Sequence, residues 1–204
     1  MVYSVTTEYP VALNSPDHTH PLGCLADQYT NPAFIEELEG LFARKVSVLD
    51  LGCAGAGMVR DLLQQGHVAV GLEGSDRPQD SGFGAWPELG SVNLFTADIG
   101  KPFEVRLDGA PTQFDVVTAW DVFEHIPEDS LPQLMKNVVS HLTEGGLLIV
   151  TIANSSSCPD VEHHLTIRET QWWIDLISGY LEPSGIRIKN PVRTPWEVLV
   201  FKRR

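Results

Sequence analysis

Two short stretches hold residue types whose spacing could support chemistry. The first is Val48-Leu49-Asp50-Leu51-Gly52-Cys53-Ala54-Gly55-Ala56-Gly57, an acid followed by a glycine-rich turn. Glycines let a backbone approach a ligand closely. A Walker phosphate loop needs Lys and then Ser or Thr after its last glycine, but Met58 and Val59 follow Gly57. The dinucleotide fingerprint Gly-x-Gly-x-x-Gly does not match the register of Gly52, Gly55 and Gly57 either. Asp50, just before the turn, repels a pyrophosphate and suits a cationic ligand. The second stretch is Trp120-Asp121-Val122-Phe123-Glu124-His125. Asp121, Glu124 and His125 share one face if the segment turns helical, which makes them candidates for removing a proton from an acceptor. Further on, Glu162-His163-His164 places His164 and its neighbour on the same rim, and His18 and His20 form another pair near the start.

These residues need elements to position them. Strand-like runs at Val46–Asp50, Val68–Glu73, Val92–Ala97, Phe114–Trp120 and Leu147–Ala153 alternate with helical runs at Ala33–Ala43, Gly57–Gly66, Pro127–Leu142 and Arg168–Leu181. Gly74–Gly90 is rich in Gly and Pro and reads as a loop with at most one short helical turn. Gly185–Pro191 and Trp196–Lys202 read as two closing strands, paired antiparallel because no helix separates them. Apolar strands alternating with helices predict a parallel sheet covered on both faces. Ligands in such sheets sit outside the carboxyl ends of the strands. That rule gathers Asp50–Gly57, Glu73, Asp98 and Trp120–His125 around one crevice. Trp172 and Trp173, on the last helix, read as core residues, with one of them a candidate for lining an acceptor pocket. Residues 1–30 show no clear period and read as an irregular arm, able to serve as a lid that excludes water; residues 31–204 read as the domain proper.

Composition narrows the function classes. The net charge of -13 opposes binding to duplex nucleic acid, which relies on clustered Lys and Arg. No apolar run approaches the roughly eighteen residues of a membrane span, and Met1–Ser15 lacks the features of a secretory signal. Three scattered cysteines, Cys24, Cys53 and Cys158, fit reduced thiols and a cytoplasmic setting.

A cationic ligand without phosphate describes S-adenosylmethionine, which carries an ammonium and a sulfonium. At this point the sequence resembles the class I S-adenosylmethionine-dependent methyltransferases, whose first motif is similar to Val48–Gly57. The resemblance runs from about Val46 to the end of the chain. It implies a Rossmann-like α/β fold with a seven-stranded, mostly parallel sheet in the order 3-2-1-4-5-7-6 and an antiparallel last strand. It also implies cofactor contacts at Asp50, Gly52, Gly55 and Gly57, a ribose contact at Glu73, adenine contacts at Asp98 and Ile99, and Trp120 near the cofactor. Ala54 and Ala56 depart from the pattern, because glycines are common there. Asp121-x-x-Glu124-His125 is similar to the Glu-x-x-Glu-His element of ubiquinone-pathway and small-RNA 2′-O-methyltransferases. From that likeness Asp121, Glu124, His125 and His164 are candidate catalytic residues, or candidate ligands of a divalent ion such as Mg or Mn. Relatives with a similar Glu-His and no metal leave a second role for His125, capping the helix that follows. The expected activity is O-methylation of a small-molecule acceptor. An RNA or protein methyltransferase and a non-catalytic cofactor-binding module are the alternatives, separable by labelled methyl transfer and by a mobility shift with single-stranded RNA.

Overall fold

The computed structural model describes residues 2–154, 163–189 and 196–204. Its main sheet contains β2 (Ser47–Leu51), β3 (Val68–Glu73), β4 (Leu94–Thr96), β7 (Phe114–Trp120), β8 (Leu142–Thr151), β9 (Glu182–Pro183) and β10 (Leu199–Lys202). The spatial order is β4-β3-β2-β7-β8-β10-β9. In order of the seven sheet strands along the chain this is 3-2-1-4-5-7-6, as expected. β10 runs antiparallel to both neighbours, while the other pairs of β2, β3, β4, β7 and β8 are parallel.

Period-2 alternation divides the core into two layers. On one face Leu49, Leu51, Val117, Leu148 and Val150 pack with Leu134 and Met135 of α6 (Leu131–His141) and Trp173 of α7 (Thr170–Ser178). On the other, Val48, Ala69, Val116 and Ile149 pack with Phe34, Ile35 and Leu38 of α2 (Pro32–Phe42) and with Val59 and Leu62 of α3 (Gly57–Gln64). Asn31 caps α2, its side chain accepting from Phe34 N at 3.1 Å, and Pro32 follows at the first helical position.

Several elements differ from the sequence expectation. The arm is not wholly irregular: β1 (Tyr3–Thr7) pairs antiparallel with β5 (Phe103–Leu107), from Tyr3↔Leu107 to Thr7↔Phe103. With β6 (Ala110–Pro111) they form a separate three-stranded sheet. The signal was present in the apolar/charged alternation of Phe103–Leu107 and in the Asp108-Gly109 turn, where both residues have positive φ. Gly74–Gly90 holds two short helices, α4 (Arg77–Ser81) and α5 (Trp86–Leu89). Gly185–Lys189 is not a strand; β9 lies earlier, at Glu182–Pro183. The proline turn expected before Trp196 lies outside the described residues. Trp173 is fully buried, while Trp172 is partly exposed, edge-on to Trp173 and under the Arg168 guanidinium.

Candidate active site

The carboxyl ends of β2, β3, β4 and β7 face one crevice. Asp50, on β2, is buried, and its Oδ1 accepts from Thr118 Oγ1 on the neighbouring strand at 2.6 Å. Burial, aided by the nearby charges of Asp27 and Glu73, pushes its carboxyl up to about 7 against the Thr118 hydrogen bond. Glu73, at the end of β3, is also buried. Its Oε2 accepts from Ala54 N at 2.8 Å and its Oε1 from Ser75 N at 3.1 Å. Burial raises its pKa despite these two bonds. Glu73 therefore ties β3 to the glycine turn.

The glycine turn is also packed tightly against the chain itself. Gly52 has φ +71°, and a Cβ there would lie 2.5 Å from Val122 Cγ2. Ala54 and Ala56 adopt left-handed φ values of 45° and 58°, which explains why glycines are common at such positions. A Cβ on Gly55 would lie 2.6 Å from Asp27 O, and one on Gly57 would lie 2.3 Å from Gln28 O. One close approach is thus made by residues 27–29 of the chain itself, and Gly55 N donates to Asp27 O at 2.9 Å.

The rest of the arm runs along the same rim. Asp98 N donates to Tyr9 O at 2.9 Å, and Ala12 N donates to Gly74 O at 2.8 Å. The Asp98 side chain accepts from Gly100 N at 2.9 Å. Ile99 is buried, its carbonyl held by Asn137 Nδ2. α1 (Pro16–Thr19) places His18 Nδ1 3.4 Å from Ser75 Oγ and 3.5 Å from Asp76 Oδ1. His163 Nε2 approaches the His20 carbonyl at 3.3 Å. Cys24 is buried beneath this segment, and burial, then the charge of Glu73, pushes its thiol up to about 12. With the arm in place, a cavity of about 30 Å³ remains, lined by Asp27, Tyr29, Asp50, Gly52, Cys53, Met58 and Trp120. Trp120 packs edge-on to Phe34 at 5.1 Å, and its Nε1 is buried without an acceptor among the described residues.

The second constellation forms on a 3₁₀ turn, Phe123–His125, after β7. Asp121 takes a left-handed φ of 53° and its N–H donates to the Thr151 carbonyl at 3.0 Å. That reversal turns the chain so that Glu124 points inward. Glu124 is fully buried; its Oε1 accepts from Ala153 N at 2.8 Å, and its Oε2 has no hydrogen-bond partner among the described residues. Burial pushes this carboxyl up to about 7. The Glu124 carbonyl accepts from Leu165 N and Thr166 N, which holds the segment bearing His164 against the turn. The rings of His125 and His164 meet edge-on at 4.8 Å. One ligand atom from each of Glu124, His125 and His164 lies within 4.8 Å of the others; Asp121 is not a member of this set. His125 Nδ1 lies 2.9 Å from Asp17 Oδ2. Its ring is therefore engaged with the arm, and α6 has no side-chain cap. Burial pushes the Asp17 carboxyl up, but the His125 and Ser15 contacts outweigh it and hold the carboxyl below its usual value.

The sequence rules bring Asp50, Glu73, Asp98 and Trp120 to one crevice and Glu124, His125 and His164 to its edge. They did not find Asp17, Asp27 or Tyr29, which come from a segment without period and are placed only by tertiary contacts. Cys158 and Glu162 lie outside the described residues.

The buried acids fix the sign of one stability change. In the native state Asp50 and Glu124 hold their protons to higher pH than in the unfolded chain. Between about pH 4 and 7 the native state binds more protons, so stability falls as pH rises, by up to about 1.4 kcal/mol per unit per group. Asp115, held low by Arg44, acts only below that window. Urea midpoints of the ligand-free protein should be lower at pH 7.5 than at pH 5.5; a higher midpoint at pH 7.5 contradicts the assignment.

The sequence profile of a family described as a methyltransferase domain matches residues 26–187. A ubiquinone biosynthesis O-methyltransferase of Vibrio atlanticus is 30% identical over 112 residues, covering 55% of this chain and 44% of the relative. The enzyme of the same name from Proteus mirabilis is 24% identical over 176 residues, covering 80% and 61%. The matches thus span less than two thirds of these relatives' own lengths. Among solved structures, a TehB-like SAM-dependent methyltransferase from Corynebacterium glutamicum superposes with a TM-score of 0.62 at 17% identity, covering 87% of this chain and 89% of that one. The N-methyltransferase NodS from Bradyrhizobium japonicum, in complex with S-adenosyl-L-homocysteine, gives 0.56 at 15% identity, covering 97% and 93%. The profile takes in the glycine turn, all the strand ends of the crevice and the Glu124–His164 cluster, and this chain belongs to the methyltransferase domain family.

Proposed function

We propose that this protein is an S-adenosylmethionine-dependent methyltransferase acting on an oxygen of a small-molecule acceptor. The observation that carries the reading is the set of acids, Asp50, Glu73 and Asp98, at successive strand ends around a glycine turn, two of them buried. Such a site suits a cofactor with cationic groups and a ribose diol. S-adenosylmethionine, when bound, supplies an activated methyl group. Glu73 is the acceptor for the vicinal hydroxyls. Asp98 and Ile99 face the adenine side. Residues 1–30 act as the lid, since Tyr9, Ala12, Asp17 and Asp27 already bridge the crevice.

His125 is the group suited to take the acceptor's proton. A carboxylate against Nδ1 keeps the proton on that nitrogen and makes Nε2 the basic one. A second reading has its own observation, the buried and unpartnered Glu124 Oε2. There Glu124, His125 and His164 would hold a divalent ion, Mg or Mn, able to lower the pKa of an acceptor hydroxyl. Asp121 stands beside this set and helps shape the turn. The acidic net charge supports an acceptor other than nucleic acid, and the free thiols of Cys24 and Cys53 support a cytoplasmic setting.

Titration calorimetry with S-adenosylmethionine tests the cofactor, and labelled methyl transfer to a panel of phenols and alcohols, with and without EDTA, tests the chemistry. Glu73→Ala should weaken binding tenfold to hundredfold, the value of charge-assisted hydrogen bonds worth about 1.5–3 kcal/mol. No binding to the native protein, or tighter binding of NAD, overturns the proposal.

A further inference from the structure

We infer that Asp27, delivered by the arm, is a cofactor-binding residue that receives the α-ammonium of the methionine end; this rests on the cofactor reading above. The cavity left beneath the arm is the basis. Its volume of about 30 Å³ is more than one water requires and gives room for an ammonium group. Two carboxylates from different parts of the chain line it, Asp50 from β2 and Asp27 from the arm. They sit close enough for the charge of Asp27 to act on Asp50. Two rings, Tyr29 and Trp120, share the wall with Gly52, Cys53 and Met58. Acids beside aromatic rings select a cation. A second, independent feature points to an amino acid: the Trp120 Nε1–H is buried with no acceptor among the described residues. An α-amino acid brings both missing partners, an ammonium for the carboxylates and a carboxylate for the indole N–H.

The position of Asp27 is built in. Its carbonyl accepts from Gly55 N at 2.9 Å, which docks the arm on the glycine turn. Its Oδ1 accepts from Tyr29 N at 2.8 Å, which sets the side chain of a local turn. Burial raises its pKa, with that bond lowering it in part. The absence of side chains at Gly55 and Gly57 serves this docking, since an added Cβ would meet residues 27–29.

Three probes separate the roles. S-adenosylmethionine and S-adenosylhomocysteine carry the α-ammonium; 5′-methylthioadenosine lacks it and keeps the adenosine. Asp27→Asn retains an oxygen for the Tyr29 N–H and removes only the charge. Calorimetry should show S-adenosylmethionine and S-adenosylhomocysteine weakened tenfold or more, with 5′-methylthioadenosine unchanged within twofold. Parallel weakening of all three overturns the proposal in favour of a structural role. Weakening of S-adenosylmethionine alone overturns it in favour of a sulfonium contact, and unchanged binding of all three removes Asp27 from the site. Native protein that binds none of the probes overturns the cofactor reading itself.

Discussion

Replacing His125 by alanine should lower turnover by about 100-fold to 10,000-fold while cofactor affinity stays within twofold. A positioned base contributes that range, and the ring contacts Asp17 and His164 and not Asp50 or Glu73. The ratio of turnover to affinity is therefore the readout. Chelation divides the two ways in which the ring can act. If His125 is a base, EDTA leaves the native rate alone. If it is a metal ligand, EDTA removes the rate, and Mg or Mn restores it. Loss of the ring also leaves Asp17 without its partner, so the melting temperature should fall somewhat. Asp17→Asn loosens the same contact and leaves the imidazole in place without the carboxylate that fixes its tautomer, so its turnover should fall less than that of the alanine variant. An alanine variant with native turnover would mean that His125 only anchors the arm.

Gly55→Val should abolish cofactor binding in a protein that still folds. The new Cβ would stand 2.6 Å from Asp27 O, 2.7 Å from Gln28 Cγ and 2.7 Å from Phe83 Cε1. A side chain can swing away, but a backbone carbonyl held by Gly55 N cannot do so without breaking that bond. Nor can the turn retreat, because Gly84 already lies so close that a Cβ there would be 2.1 Å from Gly55 O. Overpacking of this kind costs about 1–3 kcal/mol. The strain falls on residues 27–29, which peel from the turn and take the wall of the cavity with them. Circular dichroism should show native secondary structure with a lowered melting temperature, and calorimetry should show no heat on adding S-adenosylmethionine. Native affinity in this variant would mean that the arm contributes nothing to the site.

The sheet was legible in the chain because its signals are local. Val68–Glu73 is a continuous apolar run ending in an acid, Phe114–Trp120 is an apolar run broken by Asp115 and Thr118, and the structure keeps both as strands with the same bounds. Strand-end positions such as Asp50 and Glu73 follow from topology once the strands are known. The parts that were not legible depend on distant partners. β1 is five residues with no neighbour in sequence to pair with, and it exists through β5, about a hundred positions later. Asp17 and Asp27 look like solvated acids until the arm is docked, and no period marks where an arm will dock. Asp121 was read as the start of a helical face, yet its left-handed backbone makes the turn that sends Glu124 inward, and a φ value of that kind has no signature in an Asp. The glycine turn shows the same division. Its composition announced a close approach, and only the structure showed that residues 27–29 also pack against it.

The arm is held at both ends, by β1 on the second sheet and by α2 on the main core. Residues 8–31 therefore form a closed loop, not a free tail. For such a tether the entropy of re-closing depends only on the logarithm of its length, and the effective concentration of its docking groups at the crevice is set by the chain and not by how much protein is in solution. Opening must release several modest contacts, those of Tyr9, Ala12, Asp17 and Asp27, and each can break and re-form while the others hold. Exchange of anything bound beneath the arm then proceeds by stepwise unlatching from one end. Severing β1 from β5 would turn the loop into a strand of chain fixed at one end, lower that effective concentration, and speed exchange without altering a single residue that lines the crevice.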